Sequence, residues 1–320
     1  MQSIRVRERH SPMRRRQSVS AVCALESRQL LAGNVTLSFT GGTLKLTGDN
    51  SANEITVSQS VGGLQIQALN GTKLNGVANG TQTIANPTLT EINLQGGNDK
   101  LSMNGYVGGI VAALMGSGND VVRMTSVVND GSILFDLGSG NDFWTTFGSL
   151  ATPNQVGGNL TVRGNSGNDS IGLQRVRVAG NLTLSGDNGV DQLSVFDSIV
   201  DGTTSIDLGT GNDFMLLLRS RFTGTASILG NTGNDVLGSQ SGDFRASTTF
   251  DLGNGNDSLL MDQNLFAANL SRIGGNGTDL AYQFNDTVGG ASTNSGFETL
   301  LTSLTPQADT LYTQLFQRFD

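Results

Sequence analysis

Only one of the 320 residues is cysteine, Cys23, so the chain cannot form an intramolecular disulfide. Its one histidine, His10, stands near the start. Everything downstream therefore lacks Ser/His/Asp, Cys/His and zinc-ligating sets. Proline is down to 4 residues and charged side chains to 14 %. No apolar run approaches the roughly 20 residues of a membrane-spanning helix, so no membrane span is expected. No basic patch is interleaved with aromatics. Leu, Ile, Val and Phe are still plentiful enough to build a core, which argues against global disorder.

The charge that is present is divided. Residues 1–33 hold seven arginines against Glu8 and Glu26, net +5, and residues 34–320 hold 12 Lys and Arg against 25 acids, net −13. An acidic body argues against nucleic acid as a partner. It is compatible with cations or with solubility outside the cell.

Glycine is abundant, at 44 residues, and it is placed with a period. Gly209-Thr210-Gly211-Asn212-Asp213 recurs with its acid at Asp99, Asp120, Asp142, Asp169, Asp191, Asp235, Asp257 and Asp279. The steps between successive acids are 21, 22, 27, 22, 22, 22, 22 and 22 residues. A glycine lies two residues before every acid, and an asparagine one before it in seven of the nine; Val190 and Thr278 are the exceptions. Self-similarity at a fixed period of this length indicates a solenoid.

Positions counted from the acid give the phase. At −7 stand Ile92, Ala113, Phe135, Val162, Leu184, Ile206, Ile228 and Phe250. At +2 stand Leu101, Val122, Trp144, Ile171, Leu193, Met215, Leu237, Leu259 and Ala281. At +4 stand Met103, Met124, Leu173, Val195, Leu217 and Met261, with Thr146, Ser239 and Gln283 as lapses. Polar or small residues such as Ser102, Arg123, Gly172 and Ser194 fall between +2 and +4, which is the period of 2 of a strand. A looser apolar patch follows: Val107, Val127-Val128, Val176, Val178, Ile199, Phe222, Phe244 and Phe266.

Three short strands per repeat match one coil of a parallel β-helix. Abundant Gly and Asn and the lack of a 3.6-residue period rule against a helical repeat. The expected fold is an all-β, right-handed parallel β-helix of about 22 residues per coil; the handedness follows the rule for parallel crossovers. Nine coils at about 4.8 Å each make a rod of about 43 Å. Leu150-Ala151-Thr152-Pro153-Asn154 then bulges from one coil as a loop.

Residues 34–98 are expected to be a β-hairpin cap, with Gly41-Gly42 and Gly62-Gly63 as turns and Asn53-Glu54 standing where Asn-Asp stands later. Residues 99–285 are the regular stack. In 286–320, a last strand at Gly296–Leu301 precedes a helical cap over the last coil: Thr305-Pro306 opens the helix, and Leu311, Leu315, Phe316 and Phe319 share one face. A C-terminal secretion signal is the alternative for this tail.

Residues 1–33 stand outside the repeat as a basic targeting or disordered segment. Leu25-Glu26-Ser27-Arg28-Gln29-Leu30-Leu31-Ala32, with arginines upstream, resembles the LEPR-xLL segment near the N-terminus of many large bacterial surface and exported proteins; Ser27 replaces its proline. The resemblance implies export or surface association, hence an extracellular or cell-surface location. An electrostatic tail for nucleic acid or membrane is the alternative.

The turns resemble the glycine-rich nonapeptide of the RTX, or hemolysin-type, calcium-binding family. Asp136-Leu137-Gly138-Ser139-Gly140-Asn141-Asp142 and Asp251-Leu252-Gly253-Asn254-Gly255-Asn256-Asp257-Ser258-Leu259 are the nearest copies. In that family two motifs run in tandem per coil of about 18 residues and calcium sits between successive turns; here one motif occurs per 22 residues. The resemblance implies calcium as the cofactor. A second acid at −6, Asp136, Asp207 or Asp251, adds an oxygen ligand, so the metal candidates pair these with Asp142, Asp213 and Asp257. Stacked acids about 5 Å apart repel by roughly 3 kcal/mol at an effective dielectric near 20, which gives a cation something to do. The competing reading is structural. Gly at −2 supplies positive φ, the asparagines stack as an amide ladder, and each Asp bonds its own backbone as in an Asx turn.

The function expected is a non-catalytic structural or adhesion protein, whose partners would be cell-surface polysaccharide or other surface proteins. The alternative is a polysaccharide lyase or glycoside hydrolase of the β-helix type, with Arg175, Arg177, Arg219 and Arg221 flanking a site near Leu150–Asn154. The acids, however, repeat with the structure rather than break from it, and no catalytic residues are assigned.

Overall fold

A computed structural model describes residues 33–301, apart from 107 and 150. The basic segment before it, Val107, Leu150 and the helical cap expected after residue 301 lie outside the described residues. Every regular element among the described residues is a strand.

From Leu89 on, strands pair with strands one repeat away rather than with their sequence neighbours. The result is a parallel β-solenoid of about ten coils built from three sheets of 14, 13 and 8 strands. The first sheet holds segments such as Thr204–Asp207, the second Phe214–Leu218, the third Arg221–Phe222. Register keeps the 22-residue period: Leu193 lies beside Met215, and Met215 beside Leu237. Like residues therefore stack on like.

The inner faces follow the sequence columns. Each residue named at −7 and +2 is buried, exposed by 2 % or less. In the third sheet Phe222, Phe244 and Phe266 stack at ring separations of 5.0 and 4.7 Å. Val200, not Ile199, fills the inner position there; Ile199 pairs with Arg221 on the outward register and stays half-buried. The polar lapses are hydrogen-bonded. Thr146 Oγ1 donates to Gln174 O and accepts from Gln174 N, and Ser239 Oγ donates to Asn264 Oδ1 at 2.9 Å. Gln283 accepts from the guanidinium of Arg272, which occupies the −7 column of the same coil and is 3 % exposed. Two lapses in one coil thus answer each other.

The insertion lies between the strands Phe143–Phe147 and Asn154–Val156. At its base Ser149 Oγ and Thr152 Oγ1 are 2.7 Å apart. At the other end of the stack, Thr43–Thr47 runs parallel to Leu89–Asn93 but antiparallel to Asn34–Thr40. Glu54–Ser60 runs parallel to Lys100–Asn104 but antiparallel to Gly63–Ala68. Gly41 and Gly42, at φ +58° and +78°, make a two-residue hairpin turn of the primed kind. The second turn is Val61-Gly62 rather than Gly62-Gly63, since Ser60 pairs with Gly63. Glu54 pairs with Lys100, so Asn53, not Glu54, stands level with Asp99. The Glu54–Lys100 ion pair, at 3.6 Å, fits that shift by one residue.

Candidate functional site

The repeated turn joins the first sheet to the second. Glycine at −2 is needed there for two reasons. Gly211 has φ +145°, a conformation side chains resist, and a Cβ on it would come within 1.5 Å of Gly189 O in the coil below. Position −4 is left-handed as well, and is filled by Gly or by residues such as Asn165, Asp187 and Asn231, at φ +71°, +68° and +69°. Asn and Asp tolerate that region best after glycine.

These two bends turn the acid inward. All nine acids of the column are 0–3 % exposed. Each backbone N–H donates to the carboxylate of the acid one coil later, from Asp99 to Asp120 and on to Asp279, at 2.7–2.9 Å. Asn53 N donates to Asp99 at the start, and Asp279 N donates to Glu298 at the end. The acids do not bond their own turn, as an Asx turn would; they bond the coil before them. The tight bend leaves an amide with no strand to pair with, and a buried amide must find an acceptor.

The second oxygen of every one of the nine is buried with no partner. Burial penalises the charged form, and this outweighs the amide hydrogen bond that favours it. It lifts Asp99, Asp120, Asp142, Asp191 and Asp235 from 3.8 to about 7, and Asp257 to about 6. Burial also raises Asp169, Asp213 and Asp279.

One residue earlier, the asparagines form a second ladder, exposed to solvent. Asn119 N donates to Asn98 Oδ1 at 2.9 Å, and Asn141, Asn168, Asn234 and Asn256 continue the pattern. Its donors point to the preceding coil, whereas those of the acid ladder point to the following one. Val190 and Thr278 fit because a backbone N–H suffices to donate, here to Asn168 and Asn256.

The acids proposed as metal ligands occupy two settings. Asp142, Asp213 and Asp257 lie in the buried ladder, each with one oxygen engaged. Asp136, Asp207 and Asp251 sit half-buried at the ends of first-sheet strands, where Asp136 and Asp207 accept from the side-chain amides of Asn165 and Asn231. Among the described residues no three His, Cys, Asp or Glu side chains come together as a metal shell. Calcium takes six to eight oxygens, so a site built on these acids would draw the rest from turn carbonyls and water.

The four arginines singled out in the sequence lie on the third-sheet flank, each against an aspartate. Asp197 lies 2.8 Å from Arg219 and 3.8 Å from Arg175. Arg177 meets Asp201 at 2.9 Å, and Arg221 meets Asp243 at 2.8 Å. Arg175, Asp197 and Arg219 occupy left-handed positions at φ +54°, +49° and +46°, unusual for such side chains. A shallow depression of about 320 Å³ beside the insertion is lined by Ser149, Pro153, Arg175, Arg177 and Asp197, among others. It holds one carboxylate, and that one is paired.

Comparison with protein-family models, with curated proteins and with solved structures returned no match.

Proposed function

We propose that this chain is a non-catalytic structural or adhesive β-solenoid, exported and held at the cell surface, where its flanks meet surface polysaccharide or other surface proteins. One observation carries the reading: the nine repeated acids, the most numerous candidates for chemistry, are buried and bonded to backbone amides of the neighbouring coil. General acid–base work needs a carboxyl that can reach a substrate, and these face inward. What they do instead is hold coil to coil. Export rests on the LEPR-xLL resemblance of residues 25–32.

Two measurements test the proposal. Fractionation of producing cells is expected to find the protein in the envelope or medium; a purely cytoplasmic protein overturns export. Incubation with cell-surface polysaccharides is expected to show binding without release of reducing ends or unsaturated products. Turnover would establish the second reading, a polysaccharide lyase or hydrolase, which the Arg175–Asp197 pair in the depression beside the insertion favours. Against that reading, hydrolysis calls for two carboxylates across the scissile bond.

A further inference from the structure

The outer face of the second sheet changes character along the rod. At +3 it begins with Ser102 and Arg123, and in the later coils it carries Leu216, Leu260 and Tyr282. These alternate with the core residues Met215, Leu217, Leu259 and Met261, so they point out of the solenoid. Outward leucines on a bare sheet meet water, as the exposed Arg123 does in the same column. Yet Leu216 and Leu260 are 0 % exposed, and Leu218, Tyr282 and Phe284 are at 4, 4 and 9 %. These five form an apolar cluster apart from the core, with Phe214, Leu280 and Leu301 partly buried around it.

We propose that this face is a docking surface and that its occupant is the chain's own residues 302–320. The patch is confined to the end of the rod from which that segment departs. Leu301 ends the strand Thr299–Leu301, lies beside Tyr282 in register and packs against the cluster. The segment that follows puts Leu311, Leu315, Phe316 and Phe319 on one helical face. The lengths agree: four coil steps, from Leu216 to Leu301, span about 19 Å, and a helix over 306–319 spans about 21 Å. The segment therefore straps a flank of the solenoid instead of covering its last coil.

Hydrogen exchange on the full chain tests this. Amides within 302–320 are expected to be protected, and Leu216→Glu with Leu260→Glu is expected to lower that protection at least ~10-fold. Exchange of core strands such as Gln192–Phe196 should hold unchanged. The converse variant, Leu315→Glu with Phe319→Glu, leaves the sheet intact. It should give the same loss of protection and a several-fold rise in binding of a hydrophobic dye. A segment that is unprotected in the native chain, or indifferent to both pairs of substitutions, overturns the proposal. So does protection that appears only with a concentration-dependent dimer in light scattering, which would assign the face to a second copy.

Discussion

Raising the pH should weaken this protein through its buried acids. Asp235 shows the size of the effect. It is 0 % exposed, accepts one amide hydrogen bond from Asp213 and has an unpartnered second oxygen. Burial lifts it from 3.8 to about 7. A group whose folded pKa is raised holds its proton more tightly when folded. Its contribution is complete below the unfolded value of 3.8 and disappears as pH passes through about 7. At about 1.4 kcal/mol per pH unit, the difference is about 4 kcal/mol for one acid. Neighbouring acids ionising together would add repulsion of roughly 3 kcal/mol per adjacent pair. A domain stabilised by about 5–15 kcal/mol cannot ionise many of its nine acids and stay folded. Melting temperature should therefore be highest at or below about pH 4, fall through pH 5 to about pH 7 and level off above that, dropping by more than ~10 °C in all. Asp235→Asn should flatten part of that fall, stabilising at pH 9 and changing little at pH 5. The chain already contains such a rung: Asn53 bonds Asp99, and its Nδ2 donates to the carbonyls of Asp49 and Ser51. A melting temperature that is level or rising from pH 5 to pH 9 would refute the reasoning. So would an Asp235→Asn variant that destabilises equally at both ends.

Three further outcomes follow from the same geometry. Gly211→Ala, which forces a Cβ to 1.5 Å from a carbonyl oxygen, should cost about 3 kcal/mol or more in denaturant unfolding. Replacing Arg272 alone by Leu should destabilise more than replacing Arg272 and Gln283 together by Leu, because the single change strands the half-buried amide of Gln283; a double-mutant cycle reads this as a coupling of roughly 1 kcal/mol or more. Millimolar calcium should leave the melting temperature unchanged; a rise saturating with calcium would show that the acids assemble a site after all.

The sequence carried the solenoid plainly, because a repeat fixes which residues stack. Leu193, Met215 and Leu237 share a column in the chain and a wall in the structure. The direction of the acid was harder to read. Asp at a glycine turn looks like a solvated loop residue, and only the amide stranded by the bend explains why Asp213 faces inward. Register at the first rung went astray because Asn53-Glu54 copies the Asn-Asp spelling, while Lys100 attracts Glu54. The apolar flank was visible in principle. Leu216, Leu260 and Tyr282 interrupt a column that opens with Ser102 and Arg123, and the inner columns drew attention away from it. Arg272 broke the −7 column in the same coil where Gln283 broke +4; read together, the two lapses announce a pair.

The insertion at 148–153 has a consequence for how this chain can be altered. The hydrogen bond from Asp142 to Asp169 spans it at 2.7 Å, and that from Asn168 to Asn141 at 2.8 Å, distances no different from those between coils without it. The corner between the second and third sheets is thus uncoupled from the ladders that set the spacing of the rod. Loop length there adds only a slowly growing closure entropy. That corner is where foreign segments can be grafted, one coil at a time, to display peptides at regular intervals along the stack.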